Sequence, residues 1–220
     1  MVATSQPPVT AESLKLAFGA SDFIEIPATM DEFWQLIELP EYRLEYQNKH
    51  IIGTMSYGST PHERVVRNLI IAFDDIFPMP EYEIFGSNRP VYAIGCDDVY
   101  NPDVHLIAGE LKEYHYKNVK TASLNPVILV EVHSKSTKGF DLGEKLACYK
   151  TIPSLQQIIY IETEQPRVTI YNRTPKPNQW LNVDYVDMAQ KVKILNRSLA
   201  MTKIYKKITF EPIIKPKRNI

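Results

Sequence analysis

Between positions 65 and 73 the apolar residues Val65, Val66, Leu69, Ile70 and Phe73 recur at helical spacing. The turn-forming run Gly58-Ser59-Thr60-Pro61 lies just ahead of them, so a long helix is predicted from His62. A capping box of Thr29 with Glu32, followed by Phe33, Trp34, Leu36 and Ile37, predicts a shorter helix ending before Pro40. A third is predicted over residues 140–150, stopped near Pro153. Strand patterns occupy 50–56, 83–93, 103–107 and 127–132, the last a near-continuous apolar run suited to the centre of a sheet. Residues 157–162 (QIIYIE), 167–171 (RVTIY) and 180–186 (WLNVDYV) complete the set, with Gln165-Pro166 and the TPKPN run as turns. The pattern predicts a mixed α/β (α+β) fold, a central mixed sheet flanked by helices. Residues 1–28, which hold Pro7, Pro8 and small polar residues around one short apolar stretch, are expected as an N-terminal arm, and 29–220 as one domain.

Composition narrows the class. At 220 residues with 44% hydrophobic and 23% charged positions, the chain can bury one good-sized core and does not read as disordered. No uncharged apolar run reaches the ~18 residues needed to span a bilayer, and the first residues lack a basic segment followed by an apolar one, so a cytoplasmic protein is expected. Cys96 and Cys148 are too few for a disulfide scaffold and lack a metal-binding spacing, and both are expected as buried small hydrophobes. A net charge of −1 gives no global attraction to nucleic acid. The C-terminal segment is locally basic, with Lys203, Lys206, Lys207, Lys215, Lys217 and Arg218 against Glu211, and is the best candidate for phosphate contacts.

Two carboxylates sit where charge needs a reason. Asp103 follows Pro102 at the start of a predicted strand, and Glu131 interrupts the apolar run PVILVEV. Buried carboxylates are costly unless paired, hydrogen-bonded or bound to a cation, and two on neighbouring strands would form an oxygen-rich pocket for Mg²⁺ or Mn²⁺. On the following helix Asp141, Lys145 and Tyr149 share a face, which can bring the Lys145 ammonium to that pocket. A cation that polarises phosphate beside a lysine that stabilises developing charge suits phosphodiester hydrolysis. His105 and His133 each stand two residues after a carboxylate, which opens a second reading, a zinc or iron site with mixed N/O ligands.

The order Pro102-Asp103 and then Glu131-Val132-His133 resembles the PD-(D/E)XK motif of the restriction-endonuclease-like superfamily, with His133 where the motif lysine is usual. The runs PVILVEVHSKST and FDLGEKLACYK, then QIIYIE and RVTIYN, are similar to the Uma-type endonuclease family, whose lysine is placed on the following helix; that maps onto Lys145. The segment RLEYQNKHIIGTMSYGSTPHERVVRNL resembles the family's N-terminal half, in which a helical glutamate precedes a strand and a histidine opens the next helix. Glu45 and His62 match those positions, and Lys49-His50 replaces the usual Gly-acidic pair. The resemblance covers roughly residues 29–210. It implies a restriction-endonuclease-like core, a metal site of Asp103 and Glu131, and a catalytic group of Asp103, Glu131 and Lys145 joined by His133 and Glu45. It further implies DNA as substrate.

Each residue also has an ordinary reading. Asp103 could be a turn residue, Glu131 the partner of Lys145 or Arg89 in a structural ion pair, and Lys145 a solvated residue paired with Asp141. The sequence thus supports a metal-dependent endonuclease, acting as a homodimer on a two-fold duplex. Its rival is a nuclease fold that has lost catalysis and serves as a nucleic-acid or protein interaction module.

Overall fold

The mixed α/β architecture is as expected, and its strands divide between two sheets and a hairpin. The structure, a computed structural model, describes residues 7–55, 58–133 and 143–210. In chain order the elements are α1 (Ala11–Phe18), β1 (Phe23–Pro27), α2 (Met30–Leu36), β2 (Tyr42–Gln47), β3 (His50–Met55), α3 (Thr60–Ile76), β4 (Tyr82–Gly86), β5 (Val91–Ala93), β6 (Asp98–Tyr100), β7 (Val104–Ala108), β8 (Glu113–Tyr116), β9 (Lys120–Ser123), β10 (Pro126–His133), α4 (Glu144–Tyr149), β11 (Gln157–Glu162), β12 (Val168–Arg173), β13 (Trp180–Tyr185), β14 (Lys191–Ile194), β15 (Arg197–Ala200) and α5 (Met201–Ile204). The first sheet runs β1-β3-β2-β6-β5-β9-β8, the second β13-β12-β11-β10-β7-β4, and β14 pairs with β15.

The predicted strand over 83–93 is two, β4 and β5, which belong to different sheets. The chain breaks there because Ser87, Asn88 and Pro90 favour a turn, and Arg89 donates its N–H to the Gly86 carbonyl. Strand β10 is buried along its whole length, between parallel β11 and antiparallel β7. Its two faces serve two cores. Ile128, Val130 and Val132 pack with Val65, Leu69 and Phe73 of α3, whereas Leu129 packs with Leu146 and Tyr149 of α4. Glu131 therefore points to the α4 side.

The first sheet has its own core, in which Leu44 and Tyr46 of β2 meet Phe33 and Trp34 of α2. Helix α2 starts at the expected capping box: the Thr29 hydroxyl accepts from the Glu32 N–H, and the Glu32 carboxylate accepts from the Thr29 N–H at 2.6 Å. Within residues 7–28, β1 pairs with β3 and Leu14 of α1 is fully buried. Gly53 of β3 permits this packing, since a Cβ there would lie 2.7 Å from the Phe18 ring. Strands β2 and β3 are joined by Asn48 and Lys49, both at positive φ, a two-residue turn whose twist matches the hairpin.

Cys148 of α4 is buried as expected, and the expectation for Cys96 is corrected: it is exposed, and the two cysteines form a disulfide. Cys96 lies in the turn after β5, and the separation of 52 positions does not advertise the pairing. Of the basic C-terminal segment, Lys203, Lys206 and Lys207 are exposed, while Lys215, Lys217 and Arg218 lie outside the described residues. Among the described residues no helix is long and apolar enough to cross a membrane.

Candidate active site

Where β2, the start of β7, β10 and α4 converge, three buried carboxylates meet the basic side chains of Arg43 and Lys145. Asp103 occupies the position just before β7. Because β7 begins at Val104, opposite Val130, the N–H of Val132 extends past the ladder, and the Asp103 Oδ2 accepts it at 2.7 Å. The other oxygen, Oδ1, accepts from Arg43 Nη1 at 2.8 Å and lies 3.3 Å from His62 Nε2. His62 is brought there by the start of α3, whose N-cap Ser59 holds the His62 N–H. Burial pushes the Asp103 carboxyl upward, yet the Arg43 guanidinium, His62 and the Val132 N–H together hold it well below the usual carboxylate range.

Alternation along β2 organises the opposite wall. Leu44 and Tyr46 face the first core, so Arg43, Glu45 and Gln47 face the site. Gln47 donates to Glu144 at 3.0 Å, Glu45 accepts from Lys145 Nζ at 2.9 Å, and Arg43 binds Asp103. Glu45 Oε1 also accepts the Asn101 N–H at 2.9 Å, tying β2 to the segment that carries Asp103. The expected helical position of Glu45 is thus corrected, since it lies on β2: the Asn48-Lys49 turn pairs Glu45 with Ile52 across an antiparallel hairpin.

Lys145 is 2% exposed and bridges the sheets, with Nζ 2.9 Å from Glu45 Oε1 and 2.9 Å from Glu131 Oε1. Rings of Tyr100 and Tyr149 flank the ammonium at 5.6 and 5.7 Å. The solvated reading of this lysine is therefore overturned, and its suggested partner Asp141 lies outside the described residues. Glu131 is further held by the Tyr149 hydroxyl, which donates to Oε1 at 2.6 Å. Burial, then the Glu131 charge, pushes the Tyr149 phenol well above its ordinary value and keeps it a donor. Arg89, the other suggested partner of Glu131, pairs with Glu113.

His133 shares the Glu131 face of β10. Its ring lies against Tyr160 at 4.8 Å and lines a cavity of about 180 Å³ with Glu162, Arg167, Thr169 and Tyr171. His105 is buried on β7, bonded to Ser123 Oγ at 3.0 Å and stacked on Phe85, and burial pushes its imidazole down to about 3. That placement removes it from the mixed N/O metal reading. Arg43 is the participant that sequence reasoning passed over. Its Nη2 donates to the Asn101 carbonyl and lies 3.8 Å from Glu131 Oε2. The signal was present as the i, i+2 pair Arg43 and Glu45 on one strand face.

The donor set fits a hard divalent ion. Asp103 and Glu131 offer carboxylate oxygens only, and the Arg43 guanidinium already bridges them as a stand-in cation. Among the described residues, the trio of potential ligands lying mutually within 4.8 Å is elsewhere, Cys96, Asp98 and Cys148, where the two sulfurs are bonded to each other.

Known proteins resemble this chain in sequence and fold. The Uma2 family model, described as "Putative restriction endonuclease", matches residues 30–202. Two proteins of Synechocystis sp., both described as uncharacterised, are similar. The first, sll1609, is 32% identical over 153 residues, covering 70% of this chain and 84% of its own. The second, slr1290, is 24% identical over 181 residues, covering 82% and 92%. Among solved structures, a "putative nuclease belonging to DUF820" from Anabaena variabilis superposes with a TM-score of 0.64. It has 18% identity and covers 81% of this chain and 98% of that one, a likeness of fold.

Proposed function

Since the chain belongs to the Uma2 family, we propose that it is a divalent-metal-dependent endonuclease that hydrolyses phosphodiester bonds in DNA. The observation that carries this reading is the pair of buried carboxylates, Asp103 and Glu131, bridged by a cation and flanked by Lys145. In this proposal Asp103 and Glu131 hold Mg²⁺ or Mn²⁺, which supplies polarisation of a phosphate oxygen when bound. Lys145 offers positive charge at the Glu131 carboxylate, where charge develops on the phosphorane. Glu45 and Tyr149 orient that charge, Glu45 by its ion pair with Lys145 and Tyr149 by its bond to Glu131. His62, whose imidazole burial lowers but whose bond to Asp103 raises above its ordinary value, steadies the Asp103 oxygen. His133 stands beside the pocket as a proton carrier.

Action as a homodimer matches a two-fold duplex and is checked by light scattering. Cytoplasmic location is part of the same proposal. The internal neutralisation of Asp103 and Glu131 by Arg43 and Lys145 favours one alternative, a fold that keeps the cluster as a structural ion-pair network and serves as an interaction module. Incubating supercoiled plasmid and single-stranded DNA with the protein and Mn²⁺ or Mg²⁺ decides. Cleavage that disappears in Asp103→Ala supports the nuclease, cleavage that persists in that variant sinks the site assignment, and no cleavage with no Mn²⁺ binding favours the module.

A further inference from the structure

We infer that Arg43 is a placeholder cation, which occupies the ion's position between Asp103 and Glu131 and competes with divalent metal for those two carboxylates. The inference rests on the proposed metal site and goes beyond it, because it makes metal affinity a property of a residue that is not a ligand. Three observations carry it. The guanidinium touches both presumptive ligands, Nη1 at 2.8 Å from Asp103 Oδ1 and Nη2 at 3.8 Å from Glu131 Oε2. The Arg43 side chain is 27% exposed, against 3% for each carboxylate, so it stands on the solvent side of both. Charge gives the third: the guanidinium brings a full positive charge to the two carboxylates that a divalent ion would neutralise, so the two cations are rivals for the same oxygens.

Lysine 145 cannot play this part. It is fixed between two carboxylates and two tyrosine rings, and it is buried. Arg43 is anchored by one backbone carbonyl, that of Asn101 just after β6, and by the ligand Asp103 itself. Entry of the ion thus requires loss of the Arg43–Asp103 pair, after which the guanidinium remains at the solvent side of the pocket.

Titration calorimetry with Mn²⁺ alone, on the full chain without DNA, tests this. Arg43→Gln should bind Mn²⁺ at least about tenfold more tightly than the wild type, because a full charge a few ångströms from the ion is removed. Arg43→Lys should remain within about threefold of the wild type, because the charge is kept. Asp103→Ala should lose binding. Equal or weaker Mn²⁺ binding by Arg43→Gln, with binding still abolished in Asp103→Ala, overturns the placeholder role and leaves the metal site standing. Wild-type binding in Asp103→Ala overturns the metal site itself. Should Arg43→Gln fail to fold, the wild type still answers: labelling with phenylglyoxal, read at Arg43 by peptide mass spectrometry, should rise when Mn²⁺ is added. Exposed Arg64 serves as the internal reference, and a fall or no change at Arg43 refutes displacement.

Discussion

Replacing Lys145 by Met keeps the length of the side chain and removes its charge from the centre of the cluster. In the wild type that charge lies 2.9 Å from one oxygen each of Glu45 and Glu131, and all three residues are at most 6% exposed. Without it, Glu45 and Glu131 lose the ammonium that they share. Removing one partner from a buried ion pair costs about 3–5 kcal/mol, because the remaining charge is left without compensation. Two pairs share this ammonium, so the loss belongs near the upper end. For a chain of 220 residues each kcal/mol moves Tm by about 2–4 °C, and the variant should melt roughly 10–20 °C lower in EDTA. Adding Glu45→Gln removes the excess carboxylate and should restore part of the loss, with a coupling between the two changes of about 0.5–3 kcal/mol. Calorimetry and urea unfolding of the wild type, both single variants and the double variant close this cycle. A Lys145→Met protein melting within about 2 °C of the wild type would mean that the lysine is solvated, and the reasoning from its burial would fail.

Two further perturbations test the frame around the site. His105 is fully buried and pushed down to about 3, so its contribution to stability is complete above the unfolded value of roughly 6.5 and is lost as pH falls through about 3. Relative to a His105→Gln variant, which has no group to titrate there, the wild type should lose roughly 3 kcal/mol between pH 7 and pH 4 in urea unfolding, and a constant difference refutes the assignment. Reducing the Cys96–Cys148 bond, which closes a loop across 52 positions, should lower stability by up to about 4 kcal/mol on the chain-entropy account. A urea midpoint unchanged by dithiothreitol, or two thiols titrating in unreduced denatured protein, would show that the bond is not formed.

Local signals in the sequence were read well where one element decides the matter. The Thr29–Glu32 box and the buried run of β10 each depend on residues within a few positions and stand where the pattern predicts, while α3, expected from His62, starts two residues earlier at Thr60. The short strands β5, β6, β8 and β9 were harder, because three or four residues give too few periods to separate a strand from a turn. The disulfide and the role of Arg43 depend on pairings between strands distant in sequence. Arg43 meets Asp103 across 60 positions, and only the hairpin register of β2 and β3 and the path from β6 into β7 set that approach. Spacing along the chain gives the face on which Arg43 lies, but not what that face meets.

Under the proposed function, the position of Lys145 shows how a motif can move in sequence while its chemistry stays in place. A lysine two residues after Glu131 would share the strand face of that carboxylate, and here the position is held by His133, whose ring is occupied against Tyr160. The ammonium arrives from α4 instead, and α4 is fixed to both sheets. Its Glu144 takes a hydrogen bond from Gln47 of β2, its Tyr149 donates to Glu131 of β10, and its Cys148 is joined to Cys96 in the turn after β5. Stabilising charge on a phosphoryl group requires a cation at one point in space, to within a few tenths of an ångström, whichever segment supplies it. Three anchors on a helix of six residues meet that requirement as firmly as a strand would. The cost is that the site depends on three separated segments of chain being docked at once, so its charge balance, with Arg43 and Lys145 against Asp103, Glu131 and Glu45, exists only in the folded protein.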